Sequence, residues 1–203
     1  MHRYKKSRVT SFLTVLVIFL LHGCSINLGG KPGPPLTEEE LFQINNPSPE
    51  LVTRVESYLG PVLEFIALAE LHGKNEGRPL SASEAAFAKE IGIVDIDCIR
   101  IVVTSRFPLP ENPELKSKFE EYGLDSWFNK GMTLGNTIYM KPRSQNNLNI
   151  VKHELAHVMQ YGRMGKREFM KQVLLGAEVV AHWNSLPVEV EAYALQGTLI
   201  KTE

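Results

Sequence analysis

The chain has few cysteines, no charge excess and no hydrophobic run long enough to cross a bilayer comfortably. Its 203 residues include two cysteines, Cys24 and Cys98, so no disulfide network can hold the fold together. Its 22 Lys and Arg residues nearly balance its 23 Asp and Glu residues, so we expect no nucleic-acid partner. The apolar run at residues 9–21 is shorter than the about 20 residues of a membrane-spanning helix.

The N-terminus resembles a bacterial lipoprotein signal. Basic residues precede the apolar run, which ends in Leu-His-Gly-Cys, with His22 in place of the usual small residue. The resemblance implies that residues 1–23 are a signal peptide and that Cys24 becomes the lipidated first residue. Because Ser25 carries no signal for inner-membrane retention, we expect a lipid anchor in the bacterial envelope, at the outer membrane, facing the periplasm or the surface. The alternative is an ordinary secretory signal or a short anchor helix.

Residues 24–36 are rich in glycine and proline and predict a tether between this anchor and a folded domain. The domain then spans residues 37–203, and residues 37–80 form a helical N-terminal part. Cys98 lies in an apolar run and is expected to be a small buried hydrophobe rather than a nucleophile.

Local patterns predict an α+β fold that is mostly helical, with a small sheet. Thr37 and Glu40 form a capping box, Ser48 and Pro49 start a second helix, and Gly60-Pro61 is expected to interrupt it. Further helices are predicted from Ser81 or Ser83 to residue 91, and at 114–122, 167–180 and 188–199. Strands are predicted at residues 97–104 and 132–140, the latter with a Gly-Asn pair that can bulge or turn.

The sequence His153-Glu154-Leu155-Ala156-His157 is the most informative motif. Residues four apart on a helix share a face, so both imidazoles can bind one metal ion. Glu154 is placed to act as general base toward a metal-activated water that attacks a peptide carbonyl. The amphipathic pattern around the motif supports a helix, with Gly162 as its expected stop.

A catalytic Zn²⁺ ion takes three protein ligands, so a third is needed. The last predicted helix offers Glu189 and Glu191. Two residues apart on a helix, they point about 200° from one another, so only one can face the metal. The residues alone leave this choice open.

The motif and the last helix together resemble the gluzincin branch of the zincin-like metallopeptidases. In that branch the ligand Glu is often followed by Ala three residues on and Asp four residues on. Glu189 has Ala192 in the first place, so the resemblance implies Glu189 as the third ligand, although Tyr193 stands where Asp is usual.

A closer resemblance is to a bacterial group of predicted peptidases with the motif His-Glu-Leu-x-His-Val-x-Gln, matched by residues 153–160. That group also has a Gly-x-Thr-x-Gly-x-x-Ile strand upstream, matched by residues 131–138. The similarity extends over about residues 80–200 and implies a zincin-like fold with the sheet beside the motif helix.

These features predict a zinc-dependent metallopeptidase, most simply an endopeptidase, that binds one Zn²⁺ ion and acts on a peptide or protein substrate. Tyr161, His182 and Tyr193 are candidates to stabilise the oxyanion. The strand at 132–140 is a candidate to pair with an extended substrate. The alternative is an inactive zincin scaffold that serves as a binding module in the envelope.

Overall fold

The computed structural model describes residues 31–124, 126 and 129–197, and it has the predicted α+β architecture. Its helices are α1 Glu38–Asn45, α2 Pro49–Glu76, α3 Ala82–Glu90, α4 Pro113–Glu121, α5 Leu148–Met164, α6 Lys166–Val179 and α7 Pro187–Gln196. Its strands are β1 Arg100–Val103, β2 Gly131–Leu134 and β3 Thr137–Met140. None of the helices within these residues is long and apolar enough to span a membrane. Cys24, the predicted signal peptide and most of the predicted tether lie outside the described residues.

The three strands form one mixed sheet in the order β1-β3-β2. β3 is central and buried along its whole length, pairing parallel with β1 and antiparallel with β2. The prediction of one continuous strand over residues 132–140 is wrong, whereas the turn considered at its Gly-Asn pair is confirmed, because Gly135 and Asn136 form a two-residue hairpin turn between β2 and β3. Gly135 has φ +61°, a left-handed conformation that glycine adopts without strain and that suits such turns.

The α2 helix runs without a break through Gly60 and Pro61, so the predicted interruption is also wrong. A residue before proline usually leaves the helical region because its Cβ clashes with the proline ring. Gly60 has no Cβ, so this clash with the Pro61 ring does not arise. The neighbouring Leu59, Val62 and Ile66 are fully buried in the main core. Their burial offsets the cost of about 3 kcal/mol that an internal proline imposes.

The motif helix α5 is positioned by packing on both of its sides. Asn147 caps its start by accepting hydrogen bonds from the first-turn amides. Val151, Leu155 and Val158 pack in one hydrophobic cluster with residues of the sheet, and α7 lies across the other side. The helix passes through Gly162, the expected stop, and ends at Met164 before Gly165, whose φ is +80°.

The region around Cys98 differs from its prediction. Strand β1 begins only at Arg100, because Ile96–Cys98 form a 3-10 turn. Ile99 and Ile101 are the buried residues of this stretch, whereas Cys98 is exposed. The expected burial of Cys98 is therefore wrong.

Candidate metal centre

Two imidazoles lie one helical turn apart on α5 and face α7. The ring centroids of His153 and His157 are 4.9 Å apart, and the two rings are nearly perpendicular. Both rings direct Nε2 toward the same carboxylate, that of Glu189 in the first turn of α7. The i, i+4 spacing supplies this convergence without any distortion of the helix.

The third donor is the buried Glu189 carboxylate, which lies between the two histidines. Its Oε2 is 3.2 Å from His153 Nε2, and its Oε1 is 3.5 Å from His157 Nε2. One donor atom from each residue lies within 4.8 Å of the other two. Glu191 instead points away and pairs with Arg163 in a two-pronged contact at 2.6 Å. The helical geometry thus brings one of the two candidate glutamates, Glu189, to the histidines.

The donor set fits a tetrahedral divalent ion. Ligand atoms about 2.0–2.1 Å from a tetrahedral zinc lie about 3.3 Å from one another. His153 Nε2 and His157 Nε2 lie 3.2 and 3.5 Å from different oxygens of the Glu189 carboxylate, and each distance is close to that spacing. Two imidazole nitrogens and one carboxylate leave a fourth position for a water or a substrate. The three residues could therefore hold a metal ion.

The electrostatics of the cluster favour a cation. Burial acts to raise the pKa of Glu189, but His157, His153 and the Trp183 indole lower it overall. Burial acts to lower the pKa of His153, but the Glu189 and Glu154 carboxylates raise it above its ordinary value. A buried carboxylate is costly unless positive charge compensates it, and either a proton on His153 or a metal ion supplies that charge.

Glu154 stands beside the cluster, on the side of β2. Thr133 Oγ1 donates a hydrogen bond of 2.7 Å to Glu154 Oε2 and contacts the Glu154 backbone oxygen at 3.1 Å. Gly131 on the same strand faces the carboxylate closely, since a Cβ there would lie 2.4 Å from Oε1. Strand β2 therefore fixes the predicted general base in one orientation.

Two residues that contact the cluster carry no assigned role in the sequence reasoning. Gln160 is fully buried and its Oε1 lies 2.8 Å from His157 Nδ1. The Trp183 indole donates a 3.0 Å hydrogen bond to Glu189 Oε1. Gln160 follows His157 by three residues on one helix, a spacing that could have identified it. Trp183 lies in a 3-10 turn before α7, and no local pattern identifies it.

A cavity of about 280 Å³ opens onto the cluster and Glu154. Its walls are mostly apolar and include Phe119, Met132, Leu134, Phe169, Met170 and Val173. Of the three candidates for oxyanion stabilisation, Tyr161 and Tyr193 line it, whereas His182 is exposed before the 3-10 turn. The Tyr161 hydroxyl is buried and donates to Met170 Sδ at 3.2 Å, while the Tyr193 ring lies 4.5 Å from that of His153.

Comparison with protein-family models places part of this site in a known family model. The family model described as the eCIS core domain matches residues 125–165, which include the β2–β3 hairpin and the motif helix but not Glu189. No curated protein and no solved structure matches the chain. The family match and the His-His-Glu cluster are compatible with a zincin-like scaffold, and the description of the matched family names no enzymatic activity.

Proposed function

We propose that this chain is a zinc-dependent metallopeptidase, acting as an endopeptidase, with His153, His157 and Glu189 as the metal ligands. The observation that carries the proposal is the Glu189 carboxylate, placed 3.2 and 3.5 Å from the two Nε2 atoms of the motif. A chance occurrence of the motif on a surface helix gives no reason for a buried acidic side chain from another helix to meet both histidines. A purely structural role also leaves the ordered Glu154 unexplained.

His153, His157 and Glu189 would hold the zinc ion, which would supply a Lewis acid for a substrate carbonyl and would lower the pKa of a bound water to about 7. Glu154 accepts the proton of the attacking water and delivers it to the leaving amine. It is free to do so because it lies beside the cluster and is not one of the three proposed metal ligands. Thr133 keeps its carboxylate in place. Tyr193 lines the cavity, and burial raises its pKa to about 12, so its hydroxyl stays protonated as a candidate donor to the oxyanion.

The substrate in this proposal is an extended peptide. Strand β2 is an edge strand of the sheet and its residues line the cavity, and both features support a substrate that pairs with its second edge through backbone hydrogen bonds. The apolar cavity beside His157 and Phe169 suits a large apolar side chain next to the cleaved bond. With a lipid on Cys24, such an enzyme would act on peptides or proteins at the bacterial envelope.

The test uses the purified full chain, a fluorogenic peptide library and elemental analysis. We expect about one zinc per chain, cleavage that a chelator abolishes and zinc restores, and no cleavage by Glu154→Gln with its zinc retained. A wild-type chain that holds no stoichiometric metal after purification and zinc dialysis would rule out the proposal.

The alternative function, an inactive zincin scaffold that recruits a partner in the envelope, is favoured by one observation. His153 Nδ1 is buried and has no hydrogen-bond partner among the described residues, and Tyr193 packs on this ring where the gluzincin pattern has Asp. Stoichiometric zinc without any chelator-sensitive cleavage across the library would favour this alternative.

A further inference from the structure

The interior amide of Gln160 joins the two helices that carry the candidate ligands. Its Oε1 lies 2.8 Å from His157 Nδ1 on α5, and its Nε2 lies 2.8 Å from both the Val188 carbonyl oxygen and Glu191 Oε2 on α7. Val188 directly precedes Glu189 in the chain. One side chain therefore contacts the ring of one candidate ligand and the backbone next to another.

The chemistry of its neighbours fixes which way this amide points. A backbone carbonyl and a carboxylate can only accept hydrogen bonds, so both must face the amide nitrogen of Gln160. Arg163 holds Glu191 in a two-pronged ion pair, which keeps that acceptor charged and in place. The amide oxygen must then face His157.

This orientation decides the tautomer of His157. An amide oxygen only accepts, so Nδ1 of the neutral imidazole must carry the proton and donate it to Gln160. Nε2 is then the nitrogen with the free lone pair, and it is the atom that faces Glu189. Metal ligation needs that tautomer.

We propose that Gln160 is a positioning residue that selects the metal-binding tautomer of His157 and braces α7 so that Glu189 stays beside it. In this arrangement the Arg163–Glu191 pair acts on the metal site through Gln160, without touching it. The inference rests on the metal-binding part of the proposed function, and it gives a role to the Gln of the motif and to Glu191.

The test compares the full wild-type chain with Gln160→Met, which keeps the length and removes both hydrogen-bonding groups. Zinc affinity is measured by competition with a chromophoric chelator, and the tautomer by ¹⁵N shifts of labelled histidine in the metal-free chain. We expect Gln160→Met to lose about 10- to 100-fold in zinc affinity and the His157 signal to become a mixture of tautomers. Thermal unfolding of the metal-free variant is recorded to show that it is folded.

A second variant tests the contact between Gln160 and Glu191. In Glu191→Gln the new side chain still offers an oxygen to the Gln160 amide nitrogen, so we expect zinc affinity within about threefold of wild type.

The outcomes distinguish this inference from the proposed function. If wild type binds no zinc, the proposed function fails with it. If wild type binds zinc, and folded Gln160→Met binds it within twofold and keeps one His157 tautomer, Gln160 is only a packing residue and the inference is overturned.

Discussion

The position of the Glu154 carboxylate depends on the absence of a side chain at Gly131. A Cβ on Gly131 would lie 2.4 Å from Glu154 Oε1 and 2.8 Å from both its Cγ and its Cδ. Non-bonded atoms of this kind rest about 3.5 Å apart, so Gly131→Ala forces the Glu154 side chain to move by about 1 Å. Because three atoms clash, rotation of the terminal carboxylate alone cannot relieve the contact.

A shift of about 1 Å at a catalytic group can lower the rate about 100-fold, which is about 2.7 kcal/mol in the barrier. We therefore expect Gly131→Ala to reduce kcat about 100-fold. Glu154 is not one of the three converging donors, so zinc content should stay at the wild-type level. Thr133→Val removes the hydrogen bond to the Glu154 carboxylate. It should raise the activation barrier by about 1.5 kcal/mol, which lowers kcat roughly tenfold.

The assay is steady-state cleavage of the best library peptide, with zinc content and thermal unfolding measured on each variant. Thr133→Ser keeps the hydroxyl donor and serves as the matched control, with kcat expected near the wild-type value. A folded, zinc-loaded Gly131→Ala that retains more than half of the wild-type kcat would refute the reasoning, since the position of Glu154 would then not limit catalysis.

Three other predictions concern stability. Gly162→Ala, in open space on α5, should stabilise the domain by about 0.5–1 kcal/mol. Gly73→Ala, whose Cβ would lie 2.1 Å from Thr137 Oγ1, should destabilise it by about 1–3 kcal/mol. Denaturant unfolding measures both changes, and changes of the same sign would contradict this packing. Burial acts to raise the pKa of Glu84, but Arg78 and the Ser81 backbone lower it below its usual 4.5, so the stability that Glu84 contributes is present above that pH and lost as the pH falls through the folded pKa. The difference in the free energy of unfolding between wild type and Glu84→Gln should accordingly shrink below pH 4.5. A difference that grows there would contradict the direction of the pKa shift. Zinc at 100 times its Kd should stabilise the chain by about 2.7 kcal/mol, and this gain should fall on acidification as protons compete for the ligands; an unchanged Tm with zinc would contradict a folded-state site.

Local signals in the sequence predicted much of this protein correctly. The capping box of Thr37 and Glu40 is present, and Ser81 rather than Ser83 caps α3. Such features depend on residues within one turn of each other, so the chain specifies them without reference to the rest of the fold. The same holds for the spacing of His153 and His157, which one helix places on one face.

Features that depend on packing between distant segments were not predictable in the same way. The α2 helix continues through Pro61 because its neighbours are buried in the core, a gain that no short window of sequence contains. The Trp183 indole reaches Glu189 only because a 3-10 turn precedes α7. Gln160 was visible as part of a motif, but its contacts to Val188 and Glu191 arise from the approach of α7 to α5.

The sequence by itself determined that two imidazoles and a carboxylate, Glu154, share one helix, since periodicity over a single turn fixes their relative directions. It also offered Glu189 and Glu191 as candidates for the third donor, and only one of them can face the metal because they lie on nearly opposite sides of their helix. The residues alone left this choice open, although the family resemblance favoured Glu189, and the tertiary structure decided it physically: the way α7 crosses α5 turns Glu189 toward the histidines and leaves Glu191 to Arg163. A crossing angle is set by the packing of whole helix faces, and that depends on residues far apart in the chain.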